Sequence, residues 1–69
     1  METTFPAFVI RSSRSLRGRR WRWTLVARNG QVVAVSEAYN TRRAAIEGTD
    51  AVTRAAEDAT LIFDDDASS

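Results

Sequence analysis

Three features of this 69-residue chain predict an α+β fold: a three-stranded antiparallel meander, one helix packed on one of its faces, and a short final strand. Residues 21–28 (WRWTLVAR) alternate apolar and polar side chains, the period of a half-buried strand. Asn29-Gly30 follows at once, the strongest short signal for a hairpin. From Thr41 the period switches to helical, with Ala45, Thr49, Val52 and Ala56 on one stripe.

The elements follow in chain order. Residues 5–10 are β-branched and aromatic and read as a first strand, with Pro6 near its start, where a missing N–H does least harm. Residues 11–20 (RSSRSLRGRR) show no apolar period, carry three Ser and Gly18, and read as a loop. Residues 21–28 form the second strand, and residues 31–38 the third.

A type I′ turn at Asn29-Gly30 fixes the register. It pairs Arg28 with Gln31, Ala27 with Val32, Val26 with Val33, Leu25 with Ala34, Thr24 with Val35, Trp23 with Ser36 and Arg22 with Glu37. One face (Trp21, Trp23, Leu25, Ala27, Val32, Ala34) is the natural core. The other holds a favourable Arg22–Glu37 pair beside an apolar patch of Val26, Val33 and Val35. A two-layer domain leaves that patch in water unless a partner covers it, which makes it a candidate subunit interface.

The helix starts at an Asn40 or Thr41 N-cap and runs to about residue 56. Gly48 lies inside it, at a cost of ~1 kcal/mol relative to Ala. Close approach of the helix to a Trp ring on the sheet is the expected compensation. Residues 60–63 (TLIF) read as the last strand of a domain spanning 1–63, and residues 64–69 as an acidic, unstructured tail.

Size sharpens the expectation. A core in a chain of this length rarely supplies more than about 3–5 kcal/mol, and small domains usually add a disulfide, a metal or a partner subunit. There is no Cys and no His. Disulfides are excluded and structural zinc patterns are missing, so a homodimer is the remaining route. No segment reaches the ~20 apolar residues of a membrane span, and residues 1–4 lack the basic start of a signal peptide. The expected home is the cytoplasm.

The net charge of +1 conceals a split. Residues 1–30 carry seven Arg against one acid, a net of +6, and residues 31–69 carry three Arg against eight acids, a net of −5. A polyanion partner, self-association and internal neutralisation all fit such a split. Every basic residue is Arg. A GC-rich genome explains that bias; bidentate anion recognition is the alternative.

Trp21-Arg22-Trp23-Thr24-Leu25, Ala27, Asn29-Gly30, Ala34, Ser36-Glu37 and Tyr39, followed by Thr41-Arg42, Ala45, Gly48 and Val52, resemble the YegP-like domain of unknown function family. The likeness covers roughly residues 8–63 without a gap. It implies a β-β-β-α module with a short final strand, found as tandem repeats or as single modules that dimerise, with swapped elements as one mode. One copy here implies a homodimer. Thr49 stands where the family usually has a larger aliphatic, Ile46 where it usually has a polar residue, and the 11–20 segment is longer and more basic. The resemblance implies fold and assembly, and no activity. A single-copy module this small also fits a phage-borne gene.

Catalytic residues are not expected. Without His or Cys the usual bases and nucleophiles are missing, and no Ser lies in a nucleophile elbow. No cofactor and no metal site is expected either, since Asp64, Asp65 and Asp66 are adjacent acids without converging geometry. Arg14, Arg17, Arg19 and Arg20 in the basic segment, with Arg11 beside them, and Arg42 and Arg43 in the first helical turn, form a candidate anion- or nucleic-acid-binding surface. Cations at a helix start oppose the macrodipole, a broken local rule of the kind that marks functional sites, though exposed charges cost little. Trp21 and Trp23 flank the cluster, but alternation assigns both to the core.

Two functions remain. The first is a small non-enzymatic dimeric module acting through protein–protein contact at Val26, Val33, Val35 and Ile46. The second is a nucleic-acid or other polyanion binder using the Arg-rich segment and the helix start.

Overall fold

The computed structural model describes residues 4–65. Three strands, β1 (Ala7–Ser15), β2 (Gly18–Val26) and β3 (Val32–Val35), form an antiparallel sheet in the order β1-β2-β3. One helix, α1 (Arg42–Asp58), follows. This is the expected α+β meander and helix.

The core gathers where α1 crosses β2. Trp23 and Ala45 are 4% and 0% exposed, and the Phe8 ring meets Trp23 edge-on with centroids 5.1 Å apart. Of the two N-caps the sequence offers, Thr41 takes the role: its Oγ1 accepts from the Ala44 N–H at 3.0 Å. Gly48 allows the close crossing. A Cβ there would collide with the Tyr39 hydroxyl, sit 2.8 Å from Tyr39 Cζ and 3.2 Å from Trp23 Nε1. The helix also outruns the sheet, since every helix residue from Thr53 to Asp58, Ala56 included, is exposed.

Four expectations are corrected. Residues 11–20 are not a loop: β1 runs on to Ser15, and β2 starts at Gly18, with Ser15 paired to Gly18 across a Leu16-Arg17 turn. The first strand is thus Ala7–Ser15 and not 5–10. Backbone pairing and side-chain hydrogen bonds hold this stretch, which buries no apolar side chain, so hydrophobic periodicity is silent there.

The β2–β3 turn is not type I′. Asn29 has no positive φ, and Gly30 alone takes +88°. The Gly30 N–H donates to Ala27 C=O at 2.8 Å, and the Ala27 N–H to Gln31 C=O at 2.7 Å, which is a type I turn closed by a glycine bulge. Val26 therefore faces Val32 rather than Val33. A further irregularity between Leu25 and Val26 restores the predicted Leu25–Ala34 and Thr24–Val35 pairs.

The Arg22–Glu37 pair does not form. Ser36 Oγ accepts from the Trp23 N–H at 2.9 Å, and the next paired residues are Trp21 and Tyr39, which exchange two backbone hydrogen bonds. That shift takes Glu37 out of register with Arg22. Last, residues 60–63 make no strand in the single chain. Leu61, Ile62 and Phe63 are 87%, 85% and 82% exposed. Of the tail expected at 64–69, residues 66–69 lie outside the described residues. Among the described residues, no helix is long and apolar enough to cross a membrane.

Candidate functional site

Two surfaces stand out, one basic and one apolar. The basic surface is built on the β1–β2 hairpin. Beyond the Trp21–Tyr39 bridge no third strand accompanies it among the described residues, so Ser13–Ser15 and Gly18–Arg20 form a two-stranded ribbon. Three paired positions span about 10 Å at strand rise. The tip is locked locally: Ser15 Oγ donates to Gly18 C=O at 2.7 Å and accepts from the Arg17 N–H at 3.3 Å. Gly18, with φ +115°, takes the conformation that closes the turn.

Arginines occupy both faces of this ribbon. Strand alternation groups Arg11, Arg20 and Arg22 on one face and Arg14 and Arg19 on the other, with Arg17 at the tip. Arg11 stands directly opposite Arg22, and Arg14 directly opposite Arg19. Like charges in direct cross-strand register destabilise a sheet by a few tenths to about 1 kcal/mol each. Arg43–Glu47 at 3.4 Å and Arg54–Asp50 at 3.0 Å are exposed ion pairs within the helix. Arg19 donates to Ser12 Oγ at 2.9 Å, and Arg20 donates to Asn40 Oδ1.

The Arg20–Asn40 contact ties the ribbon's root to the segment that opens α1. Arg14, Arg17, Arg19 and Arg20 thus lie on one arm, with Arg42 and Arg43 at the helix start beside its root. The acidic residues Glu57 and Asp58 close the other end of the helix, about 25 Å away at helical rise.

The apolar surface differs from the one expected. Val26 is only 8% exposed. It sits on the central strand between Ala7 and Val32, and its neighbours already enclose it. Val33 and Val35 are exposed, as is Ile46 on the helix. Sequence reasoning passed over Val32, which is as exposed as Val33 because the glycine bulge alters the register. It also passed over Leu61, Ile62 and Phe63 as surface residues, having assigned them to a paired strand. Leu16, fully exposed at the ribbon tip, was hidden by reading 11–20 as a loop.

No match was found among curated proteins or among solved structures. The family model described as Domain of unknown function (DUF1508) matches residues 18–62, from the start of β2 to the exposed apolar segment after the helix. That span is more than half of the chain, and the chain belongs to this family, the YegP-like domain of unknown function.

Proposed function

We propose that this protein is a small, non-catalytic binding module that works as a homodimer and acts through protein–protein contact. The observation that carries this reading is the surface left open by the single chain. A folded monomer of 7.7 kDa exposes about 4,300 Å² by the usual scaling. This chain exposes 6209 Å², about 1,900 Å² more. Its radius of gyration is 15.0 Å, against about 11 Å for a compact chain of this length. Obligate dimers bury roughly 1,000–2,500 Å² on each partner, so the excess, part of which belongs to the ribbon, is large enough to hold such an interface.

The surface to be buried is apolar where it needs to be. β3 is an edge strand bearing Val32, Val33 and Val35, and Leu61, Ile62 and Phe63 extend from a helix whose last turns overhang the sheet. A second copy offers both the edge and the segment that covers it. The absence of His and Cys supports a non-catalytic role, because it removes the commonest general bases and nucleophiles.

The test is the oligomeric state by light scattering for the native chain, Ile62→Asp and Val33→Asp. The native chain is expected at twice its own mass, with both variants shifted toward the single-chain mass. A native chain that stays monomeric at micromolar concentration overturns the reading. So do variants that leave a dimer intact.

A further inference from the structure

We propose that the arginine ribbon, residues 11–22, is an arm that enters the major groove of duplex DNA tip first, holding the phosphates on both walls. The ribbon carries six Arg and no acid in twelve residues. Its only apolar side chain between Ser12 and Arg20 is Leu16, which stands at the tip and packs against nothing. Between Ser12 and Arg20 the arm buries no apolar side chain, so that stretch adds nothing to the core. Two directly opposed Arg–Arg pairs make it worse as a strand pair than neutral residues would. Both features are liabilities for the free chain and become favourable against a polyanion, whose phosphates separate and neutralise the like charges.

The geometry suits the groove. A major groove about 12 Å wide and 8.5 Å deep admits a two-stranded ribbon. Arg20 then faces one wall and Arg14 and Arg19 the other, Leu16 and Arg17 reach the floor, and Arg11 and Arg22, about 16 Å from the tip at strand rise, stand above the groove. Arg42 and Arg43 stand at the root, where the groove opens. Duplex RNA is excluded, because its major groove is deep and too narrow to enter. The acids at the far end of α1 do little to oppose the approach, since about 25 Å exceeds a Debye length of ~8 Å at physiological salt several times over.

The experiment is fluorescence anisotropy with a labelled 30-base-pair mixed-sequence DNA duplex over a salt series starting at 50 mM. Binding should weaken linearly in log salt. Arg14→Gln/Arg19→Gln should lose about tenfold or more in affinity and lower the salt slope by about 0.9 for each phosphate contact removed. Arg17→Gln alone, a tip residue whose loss leaves the strands untouched, should lose a few-fold, and Arg54→Gln on the helix should bind as the native chain does. Light scattering on the same samples separates this arm from assembly, because the ribbon variants should keep the native mass. No binding at 50 mM salt overturns the proposal. Unchanged binding by the ribbon variants does so as well, as does equal affinity for duplex RNA or for poly-glutamate, which mimics an acidic protein surface.

Discussion

The two halves of the β1–β2 hairpin have opposite characters. The half near the helix (Phe8 and Ile10 with Trp23 and Leu25) is apolar, covered by α1 and pinned by a ring contact. The half beyond Trp21 is arginine, serine and glycine with Leu16 exposed at its tip, yet its backbone pairing continues without a break to Ser15 and Gly18. Burial specifies the first half. In the second half, hydrogen bonds and a locally capped turn keep a regular ribbon without help from packing. Regular structure that contributes no burial points outward, to something the chain meets.

The largest expected effect lies in the covered half. Trp23→Ala removes the largest buried side chain and leaves a cavity, a loss of about 3–5 kcal/mol. That equals the whole stability expected of so small a core. Circular dichroism should show an unfolded chain at 25 °C; a folded variant would mean that the core lies elsewhere.

Gly48→Ala comes next. The added methyl meets the Tyr39 ring and the Trp23 indole. Overpacking of about 1–3 kcal/mol outweighs the ~1 kcal/mol gained in helix propensity. Urea denaturation at fixed protein concentration should show a net loss, partly recovered by adding Tyr39→Leu. A gain in stability would show that the crossing has slack. Thr41→Ala, which removes the hydroxyl capping the Ala44 N–H, should cost ~1 kcal/mol in the same assay.

The smallest effect has the opposite sign and belongs to the uncovered half. Arg14→Gln removes one of two charges standing face to face and should raise stability by a few tenths of a kcal/mol. A loss there would mean that the ribbon depends on Arg14 for its structure.

The same contrast governs what could be read from the sequence. The helix, a cap at Asn40 or Thr41 and the close crossing at Gly48 were legible, because each follows from apolar periodicity or local backbone chemistry, whereas the Leu25–Ala34 pair matches only because the irregularity between Leu25 and Val26 offsets the glycine bulge. The ribbon was not, since its residues have no apolar face to alternate. Its trace was the Gly18 turn flanked by polar spans of equal length. Asn29-Gly30 marked a turn correctly but not its type, because Gly30 alone takes positive φ and Gln31 completes the bulge. That difference moved Val32 into the exposed set. Burial of Val26 depends on strands to either side of β2, which no single-strand pattern displays. Residues 60–63 have strand composition, but the structure gives them no strand partner in their own chain.

That segment leads to the central claim, that the chain completes its core with a second copy. The most direct measurement is an isotope-filtered nuclear Overhauser experiment on an equimolar mixture of labelled and unlabelled chains. The account predicts contacts between chains from the methyl and ring protons of Leu61, Ile62 and Phe63 to an apolar surface of the other copy. A spectrum in which those side chains contact only their own chain, or nothing, would contradict it.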